Sequence, residues 1–152
     1  MIRRASLDEA SVNSLATQAA SAGYDPARRL LRHWADGSNR FGEPGETFLA
    51  AFDGGVCLGF CGLNRDPFVA DGGDGDPRVG RVRRLYVAEA VRGRGTGSAL
   101  VRALLAEAGA FRCVRTRTGR AHFFEALGFR PIEDPDATHQ IGIQRAGRTR
   151  AP

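Results

Sequence analysis

Gly93, Gly95 and Gly97 alternate along Arg92-Gly93-Arg94-Gly95-Thr96-Gly97-Ser98, directly ahead of an apolar run from Ala99 to Ala106. Glycine lacks the Cβ that would hold a ligand away from backbone amides. A helix starting here leaves its first N–H groups unpaired and aimed at the same turn. Together these features predict an anion site, best suited to a phosphate or pyrophosphate. Leu85-Tyr86-Val87, just upstream, reads as the end of a strand, so the turn joins a strand to a helix.

Three phosphate-binding patterns compete for this turn. A Walker loop needs a lysine, and all 22 basic residues of the chain are arginine. A dinucleotide fingerprint needs an acidic residue about 20 positions further on. The strand expected there, Arg112 to Thr118, has neither Asp nor Glu. The third pattern, [RQ]-x-x-G-x-[GA] after a strand ending in L-Y-V, is met by Arg92, Gly95 and Gly97. It resembles the acyl-CoA-binding core of the GNAT N-acetyltransferase superfamily. The plain alternative is a surface turn that merely caps a helix.

The elements that must position this turn follow from periodicity and breakers. Ile2 to Ser6 is a strand, with Ser6 or Asp8 capping a helix from Leu7 to Ala22. Asp25-Pro26 opens a second helix with Asp25 as N-cap, and Asp36-Gly37 ends it. Thr47 to Phe52, Asp53-Gly54-Gly55 and Val56 to Leu63 form a hairpin. Asp66 to Gly80 is a mobile loop by composition, and Val79 to Val87 is the strand before the turn. The following helix reaches Ala108. Beyond it come a strand at Cys113 to Thr118, a short helix at Arg120 to Leu127, and strands at Phe129 to Ile132 and Ala137 to Ile143.

That order, β-α-α-β-β-β-α-β-α-β-β, is the order of the GNAT fold, and a second motif supports the resemblance. Phe123-Phe124-Glu125-Ala126-Leu127-Gly128-Phe129 is similar to the F-Y-E-x-L-G-F corner near the superfamily's C-terminus. The expected class is α/β (α+β): a central mixed, mostly antiparallel sheet flanked by about four helices. Residues 1–145 form a single domain and 146–152 a polar tail.

The resemblance implies acetyl-CoA as co-substrate and no metal. The backbone of Leu85, Tyr86 and Val87 would pair with the pantetheine arm. Amides in the stretch Arg92, Gly93, Arg94, Gly95, Thr96, Gly97, Ser98 would hold the pyrophosphate, with Phe124 beside the coenzyme. An N–H near Leu85 would face the thioester oxygen, a preorganised donor for developing negative charge. Two positions depart from the family pattern. The strand position of a common glutamate base holds Arg81, and the tyrosine of the corner motif is Phe124.

Neither departure forbids acetyl transfer. The leaving group is an alkyl thiolate, comparable with a free cysteine of pKa about 8.5, and it departs without a dedicated acid. An α-amino group is about a tenth neutral at pH 7, so it needs less help than a lysine-like amine. Ordered water leading to His139, Glu43 or Asp66 could take the proton, though each also has a structural explanation as a strand, loop or turn residue. Arg81 and Arg83 could hold an anionic group of the acceptor. Asn39, Arg40 and Phe41, from the region of the first two helices, would line its rim.

Composition limits the partners. The net charge of +5 and pI near 10.0 come from arginines dispersed among 17 acids, not from a basic helix. Nucleic-acid binding rests on pI alone. No apolar stretch approaches the ~20 residues of a membrane span. Cys57, Cys61 and Cys113 form no C-x-x-C pair, and the even spacing of Cys57 and Cys61 puts both on one strand face. The sequence thus points to a cytoplasmic N-acetyltransferase acting on the primary amine of a small-molecule acceptor, amino-acid-like amines among them, without nucleic acid, membrane or metal. A homodimer is compatible with this reading. The alternative is a CoA-binding regulatory or degenerate GNAT protein without efficient catalysis.

Overall fold

The computed structural model describes residues 1–69 and 76–144. In chain order the elements are β1 (Ile2–Arg4), α1 (Ala10–Ser21), α2 (Asp25–Asp36), β2 (Thr47–Asp53), β3 (Val56–Arg65), β4 (Val79–Val87), α3 (Thr96–Ala106), β5 (Cys113–Thr116), α4 (Ala121–Ala126), β6 (Arg130–Pro131) and β7 (His139–Gly142). A 3₁₀ turn at Glu89–Val91 follows β4. The strands form a 7-stranded sheet in the order β1-β2-β3-β4-β5-β7-β6. Among the described residues, only β4 and β5 run parallel; the other pairs are antiparallel. The order of elements is the one read from sequence. Part of the expected loop (70–75) and the whole of the expected tail (146–152), with residue 145, lie outside the described residues.

Local chemistry sets the boundaries. Val12, Leu15, Ala16 and Ala19 of α1 are buried at helical spacing and form its core face. Its N-cap is Glu9 rather than Ser6 or Asp8. Ser6 Oγ accepts from the Asp8 amide while Glu9 Oε2 accepts from the Ser6 amide, so the capping chemistry closes a turn before the helix. Helix α2 is capped by Tyr24, one residue earlier than expected, and ends at Gly37 with φ 78. In the β2–β3 turn, Gly54 and Gly55 have φ 55 and φ 81, the paired positive angles of a tight hairpin.

Two irregularities reorient side chains. The β2–β3 register shifts between Ala51 and Phe52, where Ala51 pairs with Gly59 but Phe52 with Cys57. One extra β3 residue breaks the two-residue alternation. Cys57 therefore packs with Leu7, Val12 and Phe60, whereas Cys61 packs with Leu100, Leu104 and Phe111 on the other face. The expectation that both cysteines share a face is corrected by that bulge. A second shift lies between β3 and β4: Phe60 opposes Tyr86, while Gly62 opposes Arg83. Here the additional residue is in β4, and Arg84 takes φ 61.

The sheet separates two apolar layers. Helices α3 and α4 cover Cys61, Leu63, Val82 and Val114 on one face, with Phe111 fully buried beside them. On the other, α1 and α2 cover Phe48, Ala50 and Phe60. Truncating a fully buried ring such as Phe60 would cost about 3–5 kcal/mol.

Candidate active site

The parallel β4–β5 ladder consists of Val79–Cys113, Gly80–Val114 and Arg81–Arg115, and stops there. From Val82 to Val87, β4 has no strand partner on that side among the described residues. A cleft of about 880 Å³ opens along this stretch and continues past the glycine turn. Its floor is the free edge of a strand.

Which backbone groups face the cleft follows from alternation. The Ala88 amide donates to Leu58 O on β3 at 2.8 Å, and Phe60 opposes Tyr86, so Tyr86 and Ala88 address β3. Leu85 and Val87 must point the other way. Both of their carbonyls are already engaged: Tyr24 Oη donates to Leu85 O at 2.6 Å, and Arg92 Nε donates to Val87 O at 3.0 Å. A strand residue's N–H lies on the same edge as its C=O, so these amides are the groups presented to a ligand.

The glycine turn closes one end. Gly93 and Gly95 have φ 79 and φ 83, and a Cβ at either would meet nothing within 4 Å, so the space above them is open. Ala99 donates to Gly95 O at 3.0 Å to close the first turn of α3, and the amides ahead of it are the helix's free donors. Arg92 also lies 5.3 Å over the Tyr86 ring, pinning the turn to the strand end. An acyl-coenzyme fits this cradle: N-terminal amides for diphosphate, and a strand edge for an amide-bearing arm.

Of the residues expected to hold a coenzyme, Leu85, Tyr86, Val87, Arg92, Gly93, Gly95, Thr96, Gly97, Ser98 and Phe124 line the cleft. Arg94 is exposed and does not. Phe124 is buried against Phe123 and Phe129, with ring centroids 5.0 and 5.1 Å away.

The expected acceptor residues are arranged differently. Arg81 lines the cleft, but its Nη1 contacts Asp66 Oδ2 at 3.3 Å and its Nη2 donates to Asp136 O at 2.6 Å. Its charge is therefore matched within the protein. Arg83 lines the cleft and is half-buried, and burial followed by repulsion from Arg81 lowers its pKa. Asn39, Arg40 and Phe41 do not line it. Asn39 exchanges two hydrogen bonds with Asn64, Arg40 Nε donates to Trp34 O, and Phe41 fills the space left by the missing side chain of Gly62. They brace the α2–β2 connection.

The proton routes expected from sequence are also rearranged. His139 lies in β7, away from the cleft lining; its Nδ1 is 2.9 Å from Thr138 Oγ1 and its Nε2 is 3.6 Å from Glu125 Oε2. Asp66 is committed to Arg81, and Glu43 is an exposed loop residue 3.8 Å from Arg65. Among the described residues, no group of three or more His, Cys, Asp or Glu side chains is placed to hold a metal ion.

Among the cleft residues not singled out from sequence as site residues are Tyr24, Arg29 and Arg84. Tyr24 and Arg29 come from the α1–α2 region, and only the fold brings them to β4. Tyr24 also packs on Tyr86, centroids 5.3 Å apart, and burial raises its hydroxyl pKa so that it stays protonated. The signal for Tyr24 is a hydrogen bond spanning 61 residues, which no local pattern carries.

The chain belongs to the acetyltransferase (GNAT) family, whose sequence profile matches residues 10–129. Its fold is similar to that of a candidate acetyltransferase from Exiguobacterium sp. 255-15, at 25% identity and TM-score 0.76, covering 93% of this chain and 92% of that one. YncA from Salmonella typhimurium, solved with acetyl-CoA, is 15% identical with TM-score 0.70, covering 100% and 98%. The YhbS N-acetyltransferase from Escherichia coli, solved with CoA, is 20% identical with TM-score 0.68, covering 92% and 79%. No curated protein sequence matches this one significantly. Among the described residues, no helix is long and apolar enough to cross a membrane.

Proposed function

We propose that this protein transfers the acetyl group of acetyl-CoA to the primary amine of a small, amino-acid-like acceptor by direct attack on the thioester. The observation that carries this reading is the free edge of β4. It presents the Leu85 and Val87 amides beside a glycine turn suited to diphosphate. Family membership and two structural relatives solved with acetyl-CoA or CoA support the co-substrate.

Bound acetyl-CoA supplies an activated acyl group and a thiolate leaving group. The chain's own part is mainly positional. The turn ahead of α3 binds diphosphate through backbone donors, and β4 aligns the arm along its edge. The Leu85 amide is placed to stabilise negative charge on the thioester oxygen, a contribution that side-chain substitution cannot remove. No carboxylate base stands at the Arg81 position, so an amine of low pKa, neutral in useful amount near pH 7, is the acceptor best served.

Thiol release from acetyl-CoA, followed across a panel of amino acids, polyamines and aminoglycosides, tests the proposal. Amine-dependent release led by an amino-acid-like acceptor is expected. Coenzyme binding without release for any amine would favour the non-catalytic alternative, whose support is the pair Arg81 and Phe124.

A further inference from the structure

The basic groups of the cleft are not equivalent. Arg81 has Asp66 and the Asp136 carbonyl, and Arg92 has the Val87 carbonyl. Arg84 has neither. It is 7% exposed, and its Nε and Nη2 are buried without a hydrogen-bond partner. It is also non-glycine at φ 61, held there by the extra β4 residue at the bulge. A buried guanidinium with two unmet donors is costly, and an unpaired ion in such a place calls for a counterion.

The surroundings sharpen the assignment. Arg83, Arg29 and Arg32, all cations, act on Arg84 and disfavour its charge. Desolvation first and Arg83 next bring the Arg84 guanidinium down to about 10, still protonated at neutral pH. Tyr24, Arg29, Arg83 and Arg84 all line the same cleft. No Asp or Glu is among the described residues that line the cleft; Asp66 and Glu46 act on Arg83 from outside the lining.

The geometry points to Arg84, flanked by Arg83 and Arg29, as the binding site for a carboxylate carried by the acceptor next to its amine. This assignment rests on the acetyl-transfer reading for which ligand enters at this end. The diphosphate site is at the other end: Arg84 and Val87 are separated by about 10 Å of strand. Arg84 immediately precedes Leu85, whose amide would face the thioester oxygen in the proposed transfer, so a carboxylate on Arg84 would bring a neighbouring amine close to the reacting carbon. A guanidinium fork takes a carboxylate bidentately. The same cations disfavour the charged form of the amine and so increase its reactive fraction.

The test is calorimetry on the full chain saturated with CoA, titrated with N-acetylglycine, N-acetylmethionine and N-acetylphenylalanine and with the primary amide of each. At least one acid should bind about tenfold or more tightly than its amide, and Arg84→Gln should bring acid and amide within about twofold while CoA affinity is unchanged. Equal binding of acid and amide throughout, no binding of any acid, or discrimination that survives Arg84→Gln overturns the assignment. A tenfold loss of CoA affinity in Arg84→Gln with discrimination retained would give the cation to the coenzyme's phosphates and overturn it too. Should Arg84→Gln not fold, Arg29→Gln at the exposed rim replaces it: discrimination falling several-fold supports the site, and discrimination unchanged overturns it. Thiol release is a separate readout. Its failure with every amine, with acid–amide discrimination intact, would remove the acetyl-transfer reading and leave the anion site standing.

Discussion

Arg81 Nη1 lies 3.3 Å from Asp66 Oδ2, with side chains only 7% and 0% exposed, and the Phe68 ring lies 4.7 Å from the guanidinium carbon. The pair closes one wall of the cleft and removes Arg81 from the pool of free cations. Asp66→Asn should destabilise the protein by about 3–5 kcal/mol, because it leaves a buried guanidinium without its counterion. The double variant Asp66→Leu/Arg81→Met should recover most of that loss. Urea denaturation of the three proteins checks the order; a single variant as stable as the parent would contradict the pairing.

Gly97 is the cleanest probe of the turn. Gly95 sits at φ 83, where any side chain strains the backbone whatever the ligand does. At Gly97 a Cβ would make ordinary 3.5 Å contacts with Phe123 and Val87. Gly97→Val should therefore fold, yet bind CoA more than about tenfold more weakly by calorimetry, because its branches project over the free amides of α3. Unchanged affinity would move the diphosphate site elsewhere.

Tyr24→Phe deletes one defined hydrogen bond, the 2.6 Å donation to Leu85 O. Stability should fall by about 1 kcal/mol. With the Leu85 carbonyl released, the neighbouring amide loses its fixed aim, so kcat should fall while KM for acetyl-CoA changes little. A change confined to KM for acetyl-CoA would show that Tyr24 serves the coenzyme instead.

Phe124 lies among Phe123 and Phe129 and is 4% exposed. Phe124→Ala should cost about 3–5 kcal/mol through the cavity it leaves. Phe124→Tyr should leave the turnover rate within a few-fold, since the thiolate is a competent leaving group. A large gain in rate would identify a missing acid in the natural protein.

The Asp76 carboxyl is held down to about 2 by hydrogen bonds from the Arg78 side chain and amide, with Arg112 Nη2 a further 3.6 Å contact. A carboxyl depressed from 3.8 stabilises the fold above pH 4, and the contribution disappears as pH falls toward 2. Thermal melts between pH 5 and 2 should show a shallower acid decline for Asp76→Asn than for the parent. Parallel declines would place the acid sensitivity elsewhere.

Local signals carried most of the fold. Alternating apolar residues, the Gly54-Gly55 turn and the Pro26 and Gly37 boundaries are short-range, and the elements follow them closely. The glycine turn was legible for the same reason, since its glycines and helix are contiguous. Bulges were not legible. One extra residue in β3 separates Cys57 from Cys61, and another in β4 sets Arg84 in a left-handed conformation beside a paired Arg81. Which of several arginines is neutralised depends on Asp66, 15 residues from Arg81 and brought near it only across the sheet. Asn39 to Phe41 were expected at the rim because they come from the region of the first two helices, yet their hydrogen bonds and packing turn inward to Asn64, Trp34 and Gly62.

The short β4–β5 ladder has a mechanical consequence. Among the described residues, the backbone seam between the four strands that include the N-terminus and the three that follow the glycine turn is short: the pairs 79–113, 80–114 and 81–115, and the Arg112 amide donating to Arg78 O at 2.7 Å. A tensile force applied across the sheet would concentrate on that seam, since the β2–β3 and β3–β4 ladders are far longer. In an optical trap, the first rupture should separate residues 112–144 from the rest of the sheet, and a molecule spanning the open edge beyond Arg81 should raise the force at which it occurs.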